Sequence, residues 1–193
     1  MLRRLVLLLV PLALLGAACG GDAGGAGGTS GGSAQNVVIG DAKEGIEGVQ
    51  AVRVPSHDHT EGKVDYGLKP PAGGLHNPVW VNCGFYDQSF PDENVVHDLE
   101  HGAVWLAYSP TLSTLEIDKI HDQARQNAKV IATPYDGLKP GVAVVATAWA
   151  RQLTLDSVDD PRLAKFVAQY QDGSQAPESG VTCGNSALGQ PLP

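Results

Sequence analysis

P-D-E-N-V-V-H-D-L-E-H-G-A-V-W-L-A-Y, residues 91–108, reads as a short helix running straight into a buried strand. Asp92 suits a helix cap, Gly102 suits a helix end, and Ala103 to Tyr108 is apolar enough for a strand covered on both faces. With residues 92–101 helical, His97, Glu100 and His101 share one face, and the two imidazoles stand about one turn apart. That spacing suits two ligands of one metal ion. The string H-x-x-E-H is also the signature of the inverzincin metalloproteases, where Glu100 would act as general base on a zinc-bound water.

Working outward, residues 114–127 are helical by pattern, with Ile117, Ile120 and Ala124 on one face. Residues 129–133 and 142–149 read as strands joined by the turn-rich P-Y-D-G-L-K-P-G. Asp160-Pro161 is a cap followed by proline at the first helical position. Leu163, Phe166, Val167 and Tyr170 then recur with the helical period, and Gly173 closes the segment. Upstream, residues 36–55 are Val-rich and broken by glycines, which predicts one or two short strands. Residues 56–66 form a polar loop ending in a short extended piece at residues 64–66. K-P-P-A-G-G-L-H-N-P, residues 69–78, fits neither a helix nor a central strand and delivers His76 on a stiffened loop. Residues 79–85 alternate and read as a strand bearing Trp80 and Cys83. The sum is an α+β fold: a single small domain with a mixed or antiparallel sheet of four to six strands, two or three helices and a loop-rich N-terminal third.

The first 18 residues fit a signal peptide, with basic Arg3-Arg4 before an apolar run from Leu5 to Leu15 that is short for a membrane span. Gly16-Ala17-Ala18-Cys19 resembles a bacterial lipobox with Gly16 in place of the usual leucine, so Cys19 is expected to carry lipid. Cleavage near the Ala pair with release of the chain is the alternative. Residues 19–35, rich in Gly, Ala and Ser, read as a flexible tether. The exported domain is then 36–193, with its core over about 53–183. The expected location is extracytoplasmic, anchored to the cell membrane, and the expected partner is that membrane, with no protein partner indicated.

The 193 residues are long enough for a real core. A net charge of −8 and the absence of a basic patch argue against nucleic acid. With Cys19 lipidated, Cys83 and Cys183 remain, and in an exported chain they are expected to form a disulfide. Closing a loop of that length contributes about 2–4 kcal/mol.

Four histidines, His59, His76, His97 and His101, are the candidate metal ligands. The first two sit in polar or Gly/Pro-rich loops and the last two on one helix face. Neutral imidazole suits zinc or copper(II), whereas the lone Met1 and the paired cysteines leave little for copper(I). His57 stands beside His59 as a possible substitute, and His121 falls on the polar side of its helix. Glu178 lies near the spacing of the distal inverzincin ligand, but in a loop. Against proteolysis stand the short helix ended by Gly102 and the modest size of the chain.

The strings H-T-E-G-K-V-D-Y, P-P-A-G-G-L-H-N-P-V-W, N-C-G-F-Y, E-N-V-V-H-D-L-E-H-G-A-V-W-L-A-Y, A-W-A-R-Q-L and D-D-P-R-L-A-K-F-V together resemble a bacterial family of exported domains of unknown function, abundant in actinobacteria. The resemblance covers residues 53–183. It implies histidines at His59, His76, His97 and His101 and an acid at Glu100, and supplies no activity. The leading expectation is a lipid-tethered domain binding one zinc or copper(II) ion through those four histidines, with Glu100 as a supporting acceptor. The alternatives are a metallohydrolase with Glu100 as base, and a surface interaction domain whose histidines bind no metal.

Overall fold

The computed structural model describes residues 35–193; the expected signal peptide, Cys19 and the tether up to residue 34 lie outside the described residues. Seven strands form one mixed sheet: β1 (Val37–Asp41), β2 (Gln50–Arg53), β3 (Gly84–Phe85), β4 (Val104–Tyr108), β5 (Val130–Pro134), β6 (Val144–Ala148) and β7 (Arg151–Leu155). Three helices accompany them: α1 (Asp92–Glu100), α2 (Thr114–Gln126) and α3 (Pro161–Tyr170). The spatial order is β1-β2-β7-β6-β4-β5-β3. All neighbours pair antiparallel except β4 with β5 and β5 with β3, which are parallel. The parallel β4–β5 pair requires a crossover, and α2 supplies it.

β4 lies in the interior of the sheet, between β6 and β5, and sorts its side chains by the strand period of two. Val104, Leu106 and Tyr108 face a core shared with Ile120 of α2 and Leu163, Phe166, Val167 and Tyr170 of α3. Trp105 and Ala107 face the opposite core, with Val95, Val96 and Leu99 of α1, Tyr66, Val81, Tyr86 and Trp149. The sheet is therefore covered by two helices on one side. On the other it is covered by α1 and the irregular segment between β2 and α1.

The helix ends are locally encoded. Asp160 accepts the Arg162 amide at 2.8 Å with Pro161 at the first turn of α3, as its sequence predicts. Ser113 and Glu116 form a capping box on α2 that the periodic pattern alone does not reveal. Asp92 is the first helical residue of α1 and not its cap; Pro91 holds that position and makes no side-chain cap bond. Gly102, at φ 90, ends α1 in a Schellman turn: its amide bonds Leu99 O at 3.1 Å and the Ala103 amide bonds Asp98 O at 2.9 Å.

The expected sheet of four to six strands is in fact seven. One added strand, β7, follows β6 through a turn at Trp149-Ala150, where Ala150 takes φ 59 without the glycine or asparagine that usually marks such a turn. The strand expected over residues 79–85 shrinks to Gly84–Phe85, and Trp80 and Cys83 lie outside it. Side chains capture the backbone there: the Val79 amide bonds Asn77 Oδ1 at 2.8 Å and the Val81 amide bonds Asp98 Oδ2 at 2.9 Å. Asn82 Nδ2 donates to the carbonyls of Ser186, Leu188 and Gly189, tying in the C-terminal tail. The extended piece at residues 64–66 is no strand either, since the Val64 amide bonds Glu93 Oε1 at 2.9 Å. Cys83 and Cys183 are joined by a disulfide, as expected.

Candidate metal centre

α1 is buried along nearly its whole length, although much of what it buries is polar: Glu93, Asn94, His97, Asp98 and Glu100. A buried polar group without a partner costs about 1–3 kcal/mol, so each should find one. Most find it in the irregular segment. Glu93 takes the Val64 amide and the Lys63 ammonium, the latter at 3.0 Å. Asn94 Nδ2 donates to Val79 O at 2.6 Å, and Asp98 takes the Val81 amide. Burial pushes the Asp98 carboxyl well above its ordinary range. His97 Nδ1 lies 2.7 Å from Asn77 O.

The last contact fixes a tautomer. A carbonyl only accepts, so Nδ1 of His97 carries the proton and Nε2 is left as a bare acceptor in the neutral ring. His76 repeats the arrangement with Nδ1 2.7 Å from Gly74 O. The P-P-A-G-G-L-H loop makes that possible. Gly73 sits at φ 129 with Trp149 so close that an added Cβ would meet the indole at 3.0 Å. Loop and neighbour are also stitched by backbone. His76 N bonds Asp58 O at 3.1 Å and Thr60 N bonds His76 O at 2.6 Å, an isolated bridge that sets His59 beside His76.

The free edges of the His76 and His59 rings meet at Glu100. Nε2 of His76 is 3.0 Å from Glu100 Oε2 and Nε2 of His59 is 3.9 Å from the same oxygen. His76 Nε2 is buried and makes no hydrogen bond. Ring centroids are 4.7 Å apart for His59 and His76, 4.9 Å for His76 and His97, and 5.0 Å for His59 and His97. His59, His76, His97 and Glu100 each offer a ligand atom within 4.8 Å of one another, and this set could hold a metal ion.

Burial tunes each group. It lowers the His76 ring to about 4 and lowers His97 as well, so both are neutral ligand donors at pH 7. It raises Glu100 to about 7, with the nearby Glu178 charge adding to the rise. Bare acceptors crowded together out of water are the setting in which a cation is favourable.

His101 stands at the edge of this arrangement. Its Nε2 lies 3.0 Å from His97 Nε2 and 3.5 Å from Glu178 Oε2, and burial lowers its ring to about 4. Among the described residues it falls outside the converging set, whose fourth member is Glu100. The inverzincin triad of His97, His101 and Glu178 likewise forms no such group. Glu178 nevertheless reaches His101 because the tail is tied down there. Its amide bonds Glu100 O at 2.9 Å, and Lys129 Nζ, which donates to His101 O at 2.7 Å and to Val181 O, also pairs with Asp172. His57, at the exposed rim, places Nδ1 3.5 Å from Glu100 Oε1. His121 packs on Phe85, with ring centroids 4.5 Å apart, and is not part of the set. Trp80 lies over the histidine pair, its ring 5.5 Å from His97 and 5.3 Å from His101.

A family profile described as "Protein of unknown function (DUF3105)" matches residues 57–185, about two thirds of the chain, and spans the converging side chains. The chain belongs to the DUF3105 family. No curated protein and no solved structure matches it. The DUF3105 match thus brings no activity, and the chemistry has to come from the geometry. Sequence patterns had pointed to the H-x-x-E-H face; that Glu100 joins the converging atoms, that Trp80 covers the pair and that His57 reaches the outer carboxylate oxygen depend on how residues 54–83 wrap across the sheet.

Proposed function

We propose that this domain binds one zinc or copper(II) ion through Nε2 of His59, His76 and His97 and a carboxylate oxygen of Glu100, outside the cell membrane to which lipid on Cys19 tethers it. One observation carries the reading. The bare Nε2 of buried His76 faces a carboxylate oxygen at 3.0 Å, with the ring's other nitrogen already engaged by Gly74 O. Two acceptors pressed together out of water call for a cation. Three imidazole nitrogens and one carboxylate oxygen suit zinc or copper(II). The carbonyls behind His76 and His97 supply the outer hydrogen bonds that orient metal-bound histidines. His101, paired with Glu178, borders the ion from the far side of His97.

In this reading Glu100 is a ligand and not a general base, and the domain holds or carries metal. Tag-free protein stripped with a chelator and titrated with zinc sulfate should take up one ion per chain by calorimetry and elemental analysis. His76→Gln should lose that uptake. No stoichiometric ion, or uptake unchanged in both His76→Gln and His97→Gln, would refute the proposal. Retained metal in Glu100→Gln alongside lost hydrolytic turnover would return Glu100 to the role of base. Cys19→Ser should move the domain from the membrane fraction to the medium.

A further inference from the structure

The four converging side chains are unequally covered. His76 and Glu100 are essentially sealed, at 0% and 2% side-chain exposure, while His59 is 49% exposed and His57, outside the set, is 71% exposed. The exposed side chains that meet Glu100, His59 and His57, both lie on the S-H-D-H turn at residues 56–59, so that turn offers a buried ion a route to solvent. The Glu100 carboxylate is oriented along that path. Oε2 faces inward to His76 at 3.0 Å and His59 at 3.9 Å, and Oε1 faces outward to His57 Nδ1 at 3.5 Å. The turn is held in shape by Ser56, whose hydroxyl donates to Asp58 Oδ2 at 2.8 Å and accepts the Asp58 amide at 3.0 Å.

We infer that His57 is a transit ligand: an ion arriving from solvent is first held by His57 Nδ1 and Glu100 Oε1, then passes across the carboxylate to Oε2, His59, His76 and His97, and leaves by the reverse path. No bond to carbon forms or breaks; one ligand is exchanged for another while the carboxylate keeps hold. This route requires no opening of α1 or of the P-P-A-G-G-L-H loop. With His57 the site can exchange its ion with an external carrier or chelator while the fold stays closed. A metal site needs such a path as much as it needs its ligands.

This inference rests on the proposed ion site, and the test separates the two. Chelator-stripped protein is mixed with copper(II) sulfate in a stopped-flow instrument and followed by tryptophan fluorescence, Trp80 being 5.5 Å from the His97 ring. Release is followed by adding excess chelator to the loaded protein. His57→Ala and the similarly sized His57→Gln should each slow uptake and release by about tenfold, within the one to three decades over which association rates of related binding partners vary. The equilibrium constant should stay put, because a transit ligand lowers the barrier in both directions. Unchanged rates in both variants would overturn the inference and leave the ion site standing. Faster release with weakened affinity would overturn it too, making His57 a resident ligand. So would a wild-type stoichiometry of two ions falling to one in His57→Ala. Wild-type protein that binds no copper(II) or zinc would overturn both readings together.

Discussion

Helices α1 and α3 lie on opposite faces of the same sheet and are buried for different reasons. α3 presents Leu163, Phe166, Val167 and Tyr170 to an apolar core and turns its other residues to solvent. α1 buries Glu93, Asn94, His97, Asp98 and Glu100 along with its valines and leucine. On the α3 side the sheet is covered by apolar packing, with hydrogen bonds from Arg162, Gln169 and Tyr170 to Glu44 and Glu47 at its margin; on the α1 side an irregular segment with few ladder bonds of its own borrows acceptors and donors from the helix. Polar side chains that would be surface residues on an ordinary helix become the internal scaffold of a loop layer. Of these polar side chains, His97 and Glu100 gather with His59 and His76.

The two faces should respond differently to damage. Phe166→Ala on the α3 side should give the largest loss of stability, about 3–5 kcal/mol by urea denaturation, for a fully buried ring. It should leave zinc affinity within about twofold. On the α1 side, Glu100→Gln should weaken zinc binding by about 100-fold or more, removing a ligand outright where removing a mere orienting group typically costs 10–100-fold. It should also raise the stability of the metal-free protein at pH 8. The sign follows from Glu100's raised value of about 7: its contribution is full below about 4.5 and is lost as pH rises through 7, a loss that glutamine cannot suffer. A ligand change that stabilises the empty protein while abolishing its binding would mark the cluster as functional and not structural. Asp98→Ala, which strands the buried Val81 amide, should cost about 1–3 kcal/mol, and Asp98→Asn less, since the amide oxygen still accepts.

A milder effect is expected from pH. Burial lowers His76 and His101 to about 4, so their contribution is complete above about 6.5 and is lost as pH falls toward 4. At this site two rings lose stability over that window while Glu100 alone gains it, so the melting temperature of the metal-free protein should fall on balance, and saturating zinc should shift the fall to lower pH. A melting temperature flat between pH 6.5 and 4 would mean that these rings are already solvated. Trp80→Phe should be the smallest change, weakening copper(II) binding a few-fold for an aromatic contact of about 0.5–1.5 kcal/mol, while removing most of the fluorescence quenching.

What the sequence revealed follows the same division. α3, α2 and the central strands β4, β5 and β6 were readable because apolar periodicity reports packing, and packing is what holds them. The disulfide was readable from the cysteine count together with the expected export. β7 was missed because Trp149-Ala150 turns without a turn residue, and the strand over residues 79–85 was overextended because nothing local says that Asn77, Asn82 and Asp98 will take its hydrogen bonds. The histidine cluster was partly legible. His97 and Glu100 share a helix face by spacing, whereas the convergence of His59 and His76 is set by a loop bridge between segments 17 residues apart in sequence. His101 satisfies the same spacing rule, yet its Nε2 is turned toward His97 and Glu178. Helical spacing places a side chain on a face and leaves open which neighbour its tip meets.

The central claim is that the leftover acceptors of α1 and the loop layer share one ion, and anomalous diffraction from a zinc-soaked crystal tests it most directly. The account predicts a single peak about 2.0–2.2 Å from Nε2 of His59, His76 and His97 and from one Glu100 oxygen. A peak held instead by His97, His101 and Glu178, or no peak at the cluster in zinc-saturated crystals, would contradict it.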